Sequence, residues 1–322
     1  MFRTHLLPIW VGILLLSGMF LMGQETWPPQ GPTSPVPDTG ITECSDNTQG
    51  ISCPSPGEPF FGQDAQYGPN VMSFTDNGNG TITDNVTGLM WQREDDATTR
   101  TWSDAISYCD SLVLGSYTDW RLPNVYEIES IVDYSSYNPA IDLFYFPGTN
   151  SSGFVYYWSS SSDALHPERA WFLYFLDGDI GSIEKSHNYY ARCVRRGSTT
   201  KSFIENANGT VTDTSTGLMW QKEDDDVLTR DWEGALEYCE SLSLANHTDW
   251  RLPNIKELSS IVDNTRYNPA IDLFYFPGTN SCGYLSSSTH ALYPTHLWFL
   301  DFFGGEVRSQ SKIGTIPVRC VR

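Results

Sequence analysis

The heptapeptide TDWRLPN occurs twice in this chain, at residues 118–124 and 248–254, and it marks the centre of a longer duplication. FTDNGNGTITDNVTGLMWQ at 74–92 returns as FIENANGTVTDTSTGLMWQ at 203–221, and YNPAIDLFYFPGTNS stands unchanged at 137–151 and 267–281. A chain that repeats its motifs in one order, about 130 residues apart, must build one fold twice. Within each heptapeptide Trp120 or Trp250 is a large apolar anchor, and Pro123 or Pro253 holds the residue before it extended. Asn124 with Glu127, and Asn254 with Glu257, then form the pattern of a capping box that opens a helix.

The turn-rich, alternating runs at 74–92 and 203–221 read as meanders of short strands. In TWSDAISYCDSL, residues Trp102, Ala105, Ile106, Cys109 and Leu112 fall on one helical face, with Thr101, or Asp231 in the second copy, as the cap. Val125, Ile128, Ile131 and Val132 make the helix after the heptapeptide amphipathic. The Pro, Gly and Asn of the identical block imply a long ordered loop, and both copies close on a strand, ARCVRR and VRCVR. Strands, helix, strand, helix, loop and strands, without βαβ alternation, predict an α+β fold. The division is a signal peptide at 1–23, a Pro/Gly-rich linker at 24–70, and domains at 71–197 and 198–322.

Arg3, the apolar run 6–22 and Gly23 have the form of a secretory signal, interrupted by Pro8 and short for a membrane span. An uncleaved anchor is the alternative. Export places the seven cysteines in an oxidising compartment. Cys109 and Cys193 hold the same places in the first repeat as Cys239 and Cys320 in the second, so each pair would staple helix to last strand. Cys44 and Cys53 would close a small loop in the linker, leaving Cys282 free where the first repeat has Ser152. The net charge is −20; residues 70–197 carry 17 acidic and 8 basic side chains, and 198–322 carry 16 and 10. That balance argues against nucleic acid and against polyanions held by general electrostatics. With 11 Trp, 17 Tyr and 16 Phe the chain is no disordered polymer, and an exported binding or structural protein fits best.

Reactive constellations are scarce. There is no GxSxG, HExxH, CxxC or Gly-rich phosphate loop. The runs 94–96 and 223–226 match no calcium loop and read as solvated acidic loops, and the five histidines after the signal share no ligand spacing. Arg121 with Glu127, and Arg251 with Glu257, read as partners that hold the strand–helix turn. The expectation is therefore no enzyme, no cofactor and no metal. The two copies diverge just after the identical block, where the second is three residues shorter: Trp158 aligns with Leu285, Asp163 with His290, His166 with Tyr293 and Arg169 with His296. Aromatic rings stack on sugars and on apolar side chains. Relaxed constraint on exposed loops is one reading of that divergence. Altered ligand choice is the other, and it makes Tyr156, Tyr157, Trp158, Asp163 and His166 in the first repeat and Tyr284, His290 and Tyr293 in the second the candidate ligand-binding residues.

GLMWQ, W-x-x-A-x-x-Y-C, DWRLPN-x-x-E, PAID, YWSS and RCVR, in that order, resemble the Lcl C-terminal domain family over nearly all the chain after about residue 70. ISCP and GQDAQY resemble the segment that often precedes that domain. The resemblance implies two tandem C-type lectin-like domains, each with two helices and a small antiparallel sheet, the first helix tied by a disulfide to the last strand. The family's namesake is a bacterial surface adhesin for sulfated glycosaminoglycans, a ligand that two acidic repeats oppose. The expected function is an exported bacterial protein (secreted, cell-surface or periplasmic) that recognises an extracellular glycan or protein ligand. It would bind no nucleic acid and have no membrane span after signal removal. A structural spacer of the cell surface is the first alternative. The second is a sulfatase-modifying-type enzyme: RLPN-x-x-E also resembles the formylglycine-generating branch, which needs reactive cysteines near the C-terminus, and Cys282 is the one available.

Overall fold

The computed structural model describes residues 35–68, 70–149, 155–197, 201–224 and 229–322. The signal segment 1–23, like Asp225 and Asp226 of the second acidic run, lies outside the described residues. A small hairpin of β1 (Cys44–Ser45) and β2 (Gly50–Ile51) precedes the first repeat. That repeat starts with the antiparallel meander β3 (Phe74–Asp76), β4 (Thr81–Asp84) and β5 (Met90–Gln92). The β3–β4 turn works because Gly78 and Gly80 both take positive φ. Helix α1 (Trp102–Asp110) follows, with Thr101 Oγ1 accepting from the Asp104 amide. Helix α2 (Val125–Ser130) opens on the expected capping box, Asn124 accepting from Glu127 N and the Glu127 carboxylate from Asn124 N. After the long loop come β6 (Tyr156–Ser162), β7 (Arg169–Tyr174), β8 (Asp179–Glu184) and β9 (Val194–Arg195), the last pairing with β5. The second repeat retraces this path through β10 (Phe203–Glu205), β11 (Thr210–Asp213), β12 (Met219–Gln221), α3 (Trp232–Ser241), α4 (Ile255–Ser260), β13 (Gly283–Thr289), β14 (His296–Asp301) and β15 (Glu306–Ser311).

The two repeats, expected as separate domains, share one sheet and one core. Strands β8 and β15 pair antiparallel at Ile180 and Val307, giving a six-stranded sheet in the order β13-β14-β15-β8-β7-β6. Helices α2 and α4 pack on one face of it and against each other. Val125, Ile128, Ile255 and Leu258 thereby join Tyr157, Trp171, Leu173, Trp298 and Leu300 in a single buried cluster. A smaller core lies under α1 (Cys109, Trp120, Trp158, Ala170, Cys193), and its counterpart lies under α3 (Cys239, Trp250, Leu285, Leu297, Cys320). Disulfides join Cys44 to Cys53, Cys109 to Cys193 and Cys239 to Cys320, and Cys282 is a half-buried free thiol.

The segment 24–70 is not an extended linker where it is described. Thr39, Gln63 and Asp64 are buried and Ile41 enters the main core. Thr39 O accepts from Tyr134 N at 2.8 Å, Asp38 O from Lys256 Nζ at 2.9 Å, Ser45 Oγ from Lys312 Nζ at 2.6 Å, and the Asp64 carboxylate from Ser288 Oγ. Its order comes from satisfying buried polar groups of the repeats, which apolar periodicity does not register.

The same seam holds buried charge. Glu129 accepts from Ser259 Oγ (2.9 Å) and Tyr134 Oη (3.1 Å), and burial pushes its carboxyl up to about 7. Burial likewise pushes Asp64 up to about 7, and Lys201 and Lys256 down to about 7 and about 8. Between pH 7 and pH 5 the folded chain takes up protons on these carboxyls that the unfolded chain accepts only near pH 4, so stability rises as the pH falls. Between about pH 7 and 10 the unfolded chain keeps lysine protons that the fold has released, so stability rises again as the pH rises. A minimum near neutrality is expected, with ~1.4 kcal/mol for each pH unit over which one extra proton is held. Melting temperatures between pH 5 and pH 9.5 check this; a maximum at pH 7 would contradict it.

Candidate functional site

The eight predicted ligand residues do not form one surface. Trp158 is fully buried, its Nε1 donating to Arg100 O at 2.9 Å, so it is a core residue. Leu285, its counterpart, is equally buried, and the replacement is one apolar core side chain for another. Tyr157 and Tyr284 are also buried, their hydroxyls donating to Asp95 and Asp224. His290 is buried at the seam between repeats, stacked on Trp298 (centroids 5.0 Å apart), with Nδ1 accepting from the Leu292 and Tyr293 amides. Asp163, at the matching position, caps a turn through the Leu165 and His166 amides and accepts from Ser182 Oγ at 2.7 Å. These five residues are structural, and the reason is shared. Strands β6 and β13, on which sequence reading placed a ligand face, are the two outer strands of the shared sheet, and helices distant in sequence cover them. His166 and Tyr293 are exposed, and Tyr156 is half-buried.

Tyr156 belongs to a constellation that the sequence reading otherwise missed. On the sheet face away from α2, its ring centroid lies 4.7 Å from Phe172, 4.6 Å from Tyr174 and 4.9 Å from Tyr189. Alternation along β6 and β7 puts Tyr156, Phe172 and Tyr174 on one side. Tyr189 joins them because Tyr190 runs beside β6, accepting from Trp158 N and donating to Tyr156 O. Gly181 stands opposite Phe172, and a Cβ there would meet the ring at 3.0 Å. All four rings are half-buried. Asp177 and Asp179 border the patch; burial and the neighbouring Asp177 push Asp179 up to about 7, and burial with the same carboxylates raises Tyr156 and Tyr174. In the second repeat the matching positions are Gly283, Phe299, Asp301 and Ile316, so no such platform forms there. The alignment of Tyr174 with Asp301 was the signal that could have found it.

The shared motifs hold structure. Asp95 of the first acidic run pairs with fully buried Arg192 at 3.2 Å, and Asp96 pairs with Arg100. Asp224 pairs with Arg319 in the second repeat. Arg121 and Arg251 each clasp their Glu through two nitrogens at 2.6–2.7 Å. Gln92 and Gln221 of the MWQ motifs accept from the amides of Cys193 and Cys320. Burial, with Asp301 and Asp224 nearby, pushes the Cys282 thiol up, away from reactivity.

The described residues contain no helix long and apolar enough to cross a membrane. No curated protein matches the chain. A sequence profile of the Lcl C-terminal domain matches residues 80–195 and again 209–322. These spans begin at the β3–β4 and β10–β11 turns and end with the closing Arg-Cys-Val-Arg of each repeat, so they coincide with the duplicated fold. The chain belongs to the Lcl C-terminal domain family and carries that domain twice in tandem.

Proposed function

We propose that this is an exported binding protein of lectin-like character that takes an extracellular glycan on the aromatic face of its first repeat. The observation that carries the reading is the group of Tyr156, Phe172, Tyr174 and Tyr189, half-exposed rings on a rigid sheet beside the carboxylates of Asp177 and Asp179. Rings of this kind offer flat apolar area to a sugar face at small entropic cost, and carboxylates accept from its hydroxyls. The acidic surroundings favour a neutral or cationic ligand over a sulfated one. Three disulfides support an oxidising location. Binding rather than catalysis is supported by the engagement of the Arg–Glu and Arg–Asp pairs in structure and by the suppressed Cys282 thiol.

A glycan screen with the chain and its Tyr174→Ala variant tests the proposal. The variant should bind about fivefold more weakly or worse, which is about 1 kcal/mol, with its melting temperature little changed. Failure to retain any glycan, or equal retention by the variant, would count against the site. Tight, salt-sensitive retention on heparin would contradict the preference for neutral or cationic ligands.

A further inference from the structure

We propose that a second site, separate from the aromatic face, takes an extended peptide of a partner protein in the groove beside Asn264. The first repeat shows what fills such a groove. There the turn after α2 meets the chain's own residues 38–41: Tyr134 N donates to Thr39 O, and Gly40 lies so close to Asp133 that a Cβ would stand 2.5 Å from its Oδ1. Across the seam the same segment is held by the second repeat, through Lys256 Nζ to Asp38 O and Ser288 Oγ to Asp64, whose carboxylate also accepts from Thr39 Oγ1.

The duplication creates the mirror of this arrangement. Asp263 matches Asp133, with its amide on Ala270 O as that of Asp133 is on Ala140 O. Asn264 matches Tyr134, and Ser161 matches Ser288, each serine accepting from the first amide of its helix. Between them lies a groove of about 640 Å³ lined by Tyr126, Ser161, Ser202, Phe203, Asn264 and Tyr275. The prefix that covers the first groove has no second copy in the sequence. Among the described residues the Asn264 amide has no backbone acceptor and the Ser161 hydroxyl donates to nothing.

Two open donors thus stand where the other groove holds main chain, and a glycine is demanded opposite Asp263. That pattern fits a polypeptide in extended conformation. A second copy cannot readily supply it, because Thr39 is fully buried and Ile41 is part of its own core.

The test is titration of the ¹⁵N-labelled chain with the peptide VPDTGIT, the chain's own residues 36–42. Saturable amide shifts are expected at Asn264, Ser161, Phe203 and Tyr275 but not at Tyr134 or Gly40. VPDTVIT should bind at least tenfold more weakly, and Ser202→Trp, at an exposed position on the groove wall, should abolish the shifts while leaving the spectrum otherwise folded. Equal shifts with a scrambled peptide, no shifts below about 1 mM, shifts centred elsewhere, or an oligosaccharide moving these same amides would overturn the proposal. So would concentration-dependent dimerisation that moves the same amides without peptide.

Discussion

Removing the two domain bridges together, Cys109→Ala with Cys193→Ala and Cys239→Ala with Cys320→Ala, is expected to leave the chain unfolded at 37 °C. The bridges span 84 and 81 residues, and in the chain-entropy model each constrains the unfolded ensemble by about 4 kcal/mol. Their sum is comparable to the whole stability of an ordinary domain. All four sulfurs are buried beneath α1 or α3, so alanine leaves small cavities but no stranded polar group. Because the repeats share a core, opening one bridge should also lower the midpoint of the half that keeps its own. Denaturant titrations of each paired variant and of the quadruple variant measure this. A quadruple variant with an unchanged midpoint would show that the staples constrain nothing.

Asp95→Ala is expected to cost about 3–5 kcal/mol, out of proportion to the atoms removed. It strands the Arg192 guanidinium, fully buried, whose other partners are Thr149 Oγ1 at 2.8 Å and the carbonyls of Gln92 and Arg93. It also takes the acceptor from Tyr157 Oη. Asp95→Leu combined with Arg192→Met should be much milder, since no charge is left alone. Unfolding free energies of the single and double variants decide the matter; a single variant within about 1 kcal/mol of the parent would mean that water or a neighbour neutralises the arginine.

What could be read from the residues was local. Asn124 and Glu127 announce their helix within four positions, and the paired cysteines announce themselves by equal placement in two copies. What misled was distant. Trp158 sits among serines in a divergent stretch, and nothing nearby says that α1 and Tyr189 will cover it. Its replacement by Leu285 was the available sign, because a solvent-facing site rarely exchanges one large apolar residue for another. Asp95 looked like one more member of a solvated acidic run, while the arginine that claims it comes 97 residues later. The β8–β15 junction was illegible for a different reason: edge pairing is made by backbone groups common to every residue, so no side-chain pattern specifies it.

That junction has a consequence for how the halves are held. An edge strand left open is a template for another chain, and here each repeat's open edge is satisfied by its sibling. The geometry is that of an isologous homodimer written into a single polypeptide. Tethering makes the pairing unimolecular, at an effective concentration in the millimolar range, so it survives dilution that would separate a pair of free subunits. It also frees the halves from identity: one can keep four aromatic rings on its sheet while the other carries Gly283 and Asp301, an asymmetry that an assembly of identical copies could not hold.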